Sequence, residues 1–326
     1  MGKRLFLTVT RACNLRCTYC PTAKDGWPSL TEEDARESVR LFANQYGGGD
    51  IKLFGGEPLL VPNVVRAAFE EALHHDNIRR IYLSTNGLGL DLEWLEYLRA
   101  YPKGVLTLSM DGKPEDHRRA RRALEDVPDC YDHILSLREE LLKTPRVVIT
   151  QTIPPATAER AAENFEHLAS LGFWRFNFLP GYYIPWKDTQ LVALEQQFAR
   201  MSQAIQKRWE RNERFYVRNL FTWAPTPFFN TGLVIDSDRT IHPSNLGLSG
   251  ALDDTRDLTM IGTLDEPPSQ EALDEGARRV NDILQANLST HVWESTHAVD
   301  GHLSSFCRSL YEPYARYRVQ RRGGAS

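Results

Sequence analysis

The chain has 326 residues, 41% hydrophobic and 25% charged, which is globular composition and excludes wholesale disorder or a fibrous repeat. Its net charge of -4 offers no general phosphate-binding surface, so nucleic acid is not an expected partner. No apolar run reaches about 18 residues, so no membrane span is expected, and the first ten residues lack a signal-peptide core, which points to the cytoplasm.

In chain order, strand-like apolar runs fall at Leu5–Thr10, Ile51–Phe54, Ile78–Ser84, Val105–Met110, Val147–Ile153 and Trp174–Leu179. Helical patterns lie between them, near Thr31–Tyr46, Val64–His74, Leu92–Tyr101, Tyr131–Leu142, Ala156–Leu171 and Thr189–Arg211. Thr31 is placed to cap the first helix, with Ala35, Val39, Phe42 and Tyr46 on one face. Six βα units in series predict an α/β fold, a partial (β/α)6 TIM-like barrel with chemistry at the strands' C-terminal ends. Beyond residue 212 the texture changes. Gly232–Pro243 reads as a hairpin around Asp236-Ser237-Asp238, a helix is expected near Gln270–Ala286, and the remainder reads as a mixed polar and aromatic tail. The expected division is therefore 1–212 for the barrel and 213–326 for a smaller α+β extension. The aromatics Tyr182, Tyr183, Trp186, Phe221, Trp223, Phe228 and Phe229 are expected mainly in the core, some along a pocket.

Five cysteines do not close into a disulfide framework. Cys13, Cys17 and Cys20 form C-x3-C-x2-C directly after the first strand. Three thiolates hold three irons of a [4Fe–4S] cube and leave the fourth open. Structural zinc is the alternative, but it wants a fourth Cys or His, and the next His is His74.

This loop resembles that of radical S-adenosylmethionine (SAM) enzymes, whose signature is CxxxCxxC. The remaining strand ends strengthen the resemblance. Gly55-Gly56-Glu57-Pro58 matches the family's GGEP element, with Glu57 toward the SAM amine. Ser84-Thr85-Asn86-Gly87 resembles its third-strand motif. Ser109-Met110-Asp111-Gly112, followed by His117 and Arg121, is similar to the pattern of the SPASM and twitch branch. The resemblance implies one [4Fe–4S] cluster held by the three cysteines. It implies SAM contacts from Tyr19, Gly55, Gly56, Glu57, Pro58, Ser84, Thr85, Asn86, Ser109, Asp111, Arg121 and Leu179, with Arg121 pairing the SAM carboxylate. Arg118, Arg119 and Arg122 compete for that role, and Gln151 and Asn177 are weaker candidates. A flavodoxin- or ferredoxin-type protein would supply electrons.

The branch's auxiliary-cluster cysteines are missing: Ser244 stands where a cluster Cys is expected, and only Cys130 and Cys307 remain. This predicts a degenerate SPASM-like or twitch-like extension without metal, which favours redox-neutral outcomes. The cluster loop's position at residue 13 leads to the expectation that no B12 or peptide-leader domain precedes it. Cys307 is a candidate hydrogen-atom donor, as in radical epimerases, while Cys130 is expected away from the strand-end mouth. The primary reading is hydrogen abstraction from a peptide or small-molecule substrate in a maturation or tailoring pathway. An Fe–S redox sensor is the alternative from another class, disfavoured because a sensor needs no SAM pocket.

Overall fold

The computed structural model describes residues 3–221, 231–248 and 256–323. Trp223, Phe228 and Phe229 lie outside the described residues. The chain divides into two compact units, each assembled from separate segments. One comprises Met1–Leu108, Arg121–Val147 and Phe229–Leu288; the other comprises Ser109–Ala120, Val148–Phe228 and Ser289–Ser326.

In the first unit the strands run in the order β12 (Gly262–Thr263), β11 (Thr240–Ser244), β10 (Thr231–Ile235), β1 (Arg4–Thr10), β3 (Gly49–Gly55), β4 (Ile78–Thr85) and β5 (Gly104–Ser109). β10, β1, β3, β4 and β5 are mutually parallel, with Leu5 opposite Ile51 and Leu53 opposite Leu83. Leu5, Leu7, Val9, Ile51, Leu53, Ile81 and Leu83 are buried. Strands apolar at nearly every position are what helix-covered parallel sheets require. The covering helices are α1 (Glu32–Asn44), α2 (Pro62–Leu73) and α3 (Leu92–Ala100). Thr31 caps α1 in a capping box with Asp34, and Ala35, Val39 and Phe42 face inward as their spacing predicts.

The second unit holds parallel β7 (Val147–Ile153), β8 (Arg175–Pro180) and β9 (Tyr216–Val217), with α7 (Ala161–Ser170) and α8 (Asp188–Glu210). Its core is aromatic. Phe165 meets Phe176 edge-on at 5.2 Å, and Phe306 packs 5.6 Å from Phe178 and 5.0 Å from Phe198. All six expected strands are present, and the expected α/β alternation is the observed one.

Three segments differ from the sequence reading. The expected helix over Tyr131–Leu142 is two, α5 (Cys130–Ser136) and α6 (Arg138–Lys143), joined at Leu137, whose backbone leaves the helical region. The expected helix from Ala156 begins as a 3-10 turn at Pro155–Arg160 before α7. The tail is a 34-residue helix, α11 (Thr290–Gly323). Val299, Leu303, Phe306, Leu310 and Tyr317 recur along it at helical spacing and are all buried, a pattern that Pro313 and the many polar residues obscure. Among the described residues no helix is long and apolar enough to cross a membrane.

The hairpin expected at Asp236–Asp238 is present, and β10 lies parallel beside β1. Its turn carries a charge network. Asp236 is 2% exposed and ion-paired with fully buried Arg11, whose Nε donates to Oδ1 at 3.2 Å. Arg256 pairs with Asp238. The Trp27 ring lies against both guanidiniums, 3.6 Å from Arg11 and 4.7 Å from Arg256. His242 on β11 bonds Thr240 Oγ1 at 2.9 Å and Thr259 Oγ1 at 3.1 Å.

Burial pushes the His242 imidazole down to about 4 from its usual 6.5. The unfolded chain therefore takes a proton near pH 6.5 that the folded chain refuses until about pH 4. This contribution to stability is complete above pH 6.5 and is lost as pH falls through that window. Between pH 7 and pH 5 the wild-type chain should lose about 2 kcal/mol that a His242→Asn variant does not. Urea unfolding at the two pH values checks this; equal losses in both proteins would refute it.

Candidate active site

The cluster loop leaves β1 at Thr10 and is fixed at both ends by features of the first unit. At its start, Arg11 is held by Asp236, and the Gly55-Gly56-Glu57 turn bonds the loop directly. Gly56 N donates to Thr10 O at 2.9 Å, and Glu57 N donates to Ala12 O at 2.8 Å. The glycines permit this approach. A Cβ on Gly55, at φ +144°, would stand 2.0 Å from Thr10 O, and one on Gly56 would stand 2.1 Å from Ala12 O. The two glycines thus make room for the backbone of the cysteine loop.

The exit of the loop was not legible beforehand. Leu15–Cys17 forms a short strand, β2, antiparallel to β6 (Arg121–Ala123), with Cys17 opposite Arg121. The Arg121 guanidinium lies 5.5 Å from the Tyr19 ring centre. Of the four competing arginines, Arg121 is buried whereas Arg118, Arg119 and Arg122 are exposed. Three-residue strands this short leave no alternation to read.

Cys13, Cys17 and Cys20 are half-buried. Cys20 N donates to Cys17 O at 3.1 Å, closing the turn between them. The Cys13 thiol accepts from Leu15 N at 3.4 Å, and burial raises its pKa. Among the described residues no three His, Cys, Asp or Glu side chains converge as a preformed metal cage. The donor set nonetheless fits an iron–sulfur cube better than a single zinc: three thiols within eight residues on a backbone pinned at each end.

Glu57 is the hub of this half. It is 1% exposed. Its Oε1 accepts from Thr85 Oγ1 at 2.6 Å and Leu59 N at 3.0 Å, and its Oε2 accepts from Asn86 N at 2.7 Å. Desolvation raises its pKa, opposed by these hydrogen bonds. The carboxylate expected to meet an amine is thus engaged inside the protein. Pro58 opens the 3-10 turn Pro58–Leu60 that Glu57 caps. Asn86 also donates to Asn14 Oδ1 at 2.7 Å, joining the third-strand loop to the cluster loop. Ser84 Oγ is buried and has no hydrogen-bond partner among the described residues, which suits a polar ligand at that strand end.

Cys130 corrects an expectation. Its thiol donates to Asn86 O at 2.9 Å, so it packs against the Thr85-Asn86 loop instead of lying away from it. Asp129 caps α5 and so places Cys130 at the first helical position.

The second unit carries the other expected residues. Asp111 is 2% exposed; its Oδ1 accepts from Thr152 N at 3.1 Å, and its own N–H donates to His117 Nδ1 at 3.3 Å. Ser109 ends β5, half-buried. Asp116 below them is clamped by Arg160 at 2.6 and 2.9 Å and by Asn164 at 2.9 Å. Gln151 donates to Ala161 O at 3.1 Å. Asn177 and Leu179 lie on β8, opposite Thr150 and Thr152. Asn219 was missed: it bonds both N–H and C=O of Phe178, at 2.9 and 2.8 Å, and so tethers β8 near its end. Cys307 on α11 is 4% exposed, and burial together with the negative Asp300 pushes its thiol up to about 12.

Residues 7–188 match the Radical SAM superfamily. The GTP 3',8-cyclase of Chlorobaculum tepidum is 33% identical over 151 residues, covering 44% of this chain and 42% of that protein. The AdoMet-dependent heme synthase of Methanosarcina barkeri is 32% identical over 170 residues, 50% of this chain and 46% of that one. The chain therefore spans less than half the length of these relatives. Among solved structures, anSMEcpe with bound AdoMet and the Kp18Cys peptide superposes with a TM-score of 0.75 at 16% identity, over 96% of this chain and 99% of that one, a likeness of fold. With the cysteine loop, the Gly-Gly-Glu turn and the parallel strands all in place, this chain belongs to the Radical SAM superfamily, enzymes whose cofactors are a [4Fe–4S] cluster and SAM.

Proposed function

We propose that this chain carries one cluster on Cys13, Cys17 and Cys20, binds SAM, and abstracts a hydrogen atom from a peptide or small-molecule substrate. The observation that carries this reading is the three-thiol loop pinned to the Gly55–Glu57 turn. When bound and reduced, by a flavodoxin- or ferredoxin-class donor, the cluster supplies the electron that cleaves SAM to methionine and a 5'-deoxyadenosyl radical.

The chain's own residues fix and shape. The Glu57 carboxylate orients the Thr85-Asn86 loop, and Asn86 in turn holds Asn14 between Cys13 and Cys17. Arg121, buried against Tyr19, offers a guanidinium suited to the SAM carboxylate. Ser84, Ser109, Asp111 and Leu179 stand at the strand ends where the family binds SAM. The segment beyond residue 212 is a degenerate SPASM-like or twitch-like extension, supported by Ser244 in place of a ligand Cys, fully buried on β11. Peptide and small-molecule substrates both find support: anSMEcpe and SuiB of Streptococcus suis are solved with peptides, whereas the GTP 3',8-cyclase name denotes a nucleotide.

An epimerase reading rests on Cys307. Its raised pKa keeps the S–H bond intact at neutral pH. Transfer would break S–H and form C–H, leaving a thiyl radical that one electron from the donor protein and one proton from solvent restore.

Four outcomes are expected. Anaerobic reconstitution should load about four irons per chain, lost on changing any of Cys13, Cys17 or Cys20 to Ala; about eight irons would refute a metal-free extension. With dithionite and SAM the loaded protein should form 5'-deoxyadenosine, and its absence under those conditions would overturn the reading. Glu57→Ala leaves three buried donors unpaired and should destabilise the unloaded chain by about 3–5 kcal/mol in urea unfolding while weakening SAM binding. Unchanged stability would remove Glu57 from its place as hub. For Cys307, turnover in D2O should place one deuterium in the product, and Cys307→Ser should keep 5'-deoxyadenosine but lose product. Full product yield from that variant would leave Cys307 as a packing residue.

A further inference from the structure

Asp300 lies on α11 within the second unit, one helical repeat before Cys307, so the two share a helix face. Asp300 is 5% exposed. Its Oδ1 accepts from the Tyr182 hydroxyl at 3.2 Å, and Oδ2 has no hydrogen bond among the described residues. Tyr182 follows directly on the C-terminal end of β8, where this fold gathers its chemistry. The neighbouring backbone is fixed: Tyr183 N donates to Thr296 Oγ1 at 3.3 Å, Trp186 N donates to Ser295 Oγ at 3.0 Å, and the Trp186 indole donates to Gly181 O at 2.8 Å.

No cation of the described residues pairs with this carboxylate. The nearest Lys or Arg in sequence, Arg308, is exposed and bonded to Ser304 and Ser305, and neither His297 nor His302 of the same helix bonds Asp300. A buried carboxylate with one neutral donor and no counter-charge is costly to fold around. Such a group is commonly retained where a ligand completes it.

We propose that Asp300, with Tyr182, is a substrate-binding site for a protonated amine, the ammonium occupying the free carboxylate oxygen beside the Cys307 thiol. The substrate class is thereby narrowed to amine-bearing molecules: an amino-terminal or lysyl group of a peptide, or a small primary amine. This rests on the radical SAM reading above and specifies its substrate. The groups facing Asp300 are the hydroxyl of Tyr182 and the thiol of Cys307, with Tyr183 beside them, and burial holds all three neutral at pH 7. Desolvation holds the Asp300 carboxyl up at about 7, so it is half-protonated at neutral pH when no cation is bound. An ammonium should bind more tightly as pH rises from 6 to 8, because the carboxyl ionises over that range while an alkylamine stays charged.

The test uses the reconstituted, SAM-loaded protein and two probes, n-pentylammonium and the uncharged 1-pentanol. Thermal shift at pH 8 should show stabilisation by the amine and little by the alcohol, with a weaker amine response at pH 6. Asp300→Asn should weaken the amine at least tenfold, read from the concentration giving half the shift, and should abolish its pH dependence. Tyr182→Phe, which keeps the charge, should retain the amine response and serves if Asp300→Asn does not fold. Equal responses to amine and alcohol, an unchanged response in Asp300→Asn, or none in Tyr182→Phe would overturn the proposal. Formation of 5'-deoxyadenosine without substrate is measured alongside. If the wild type forms it and the amine response fails, only this site is refuted; if the wild type forms none, the functional reading fails instead.

Discussion

A single carboxylate organises the half of the first unit that carries the three cysteines. Glu57 is sealed from water, and each of its oxygens is taken by donors of the chain itself. Desolvation raises the pKa of this carboxyl, and the three donors that converge on it offset the cost of its burial. Through Thr85 and Asn86 it fixes the end of β4, and through its own amide it fixes Ala12. The cysteine loop, the Gly-Gly turn and the third-strand loop are therefore tied to one another by hydrogen bonds that contain no metal, although the three thiols do not converge as a cage among the described residues.

Much of this was legible in the sequence, for identifiable reasons. β1, β3, β4, β5, β7 and β8 are dense in β-branched and aromatic residues between polar turns, so their period stands out. Thr31 announced α1 because a threonine followed three residues later by an acid is a local chemical pattern, independent of tertiary contacts. Cys13, Cys17 and Cys20 were legible because spacing alone constrains what three thiols can hold.

The rest depended on contacts that sequence does not display. The missing Cβ of Gly56 makes room for Ala12 O, a backbone approach that the sequence does not display. Asn14 and Cys130 each reach Asn86 from another part of the chain, and nothing local to either residue marks that meeting. Asn219 tethers Phe178 by a pair of backbone bonds across 41 residues. The pairing of β2 with β6 singled out Arg121 from a run of four arginines, a distinction of burial and not of composition. α11 was hidden because its buried positions are separated by serines, arginines and a proline.

The Arg11–Asp236 ion pair also sets the order of events during synthesis. Its partners are 225 residues apart, and both are almost wholly buried. Until Asp236 emerges from the ribosome, the guanidinium two residues before Cys13 has no counter-charge, and a buried position is closed to it. β1 likewise lacks its β10 neighbour and presents an open edge until then. A chain lacking the hairpin would present its three thiols on an unanchored strand end.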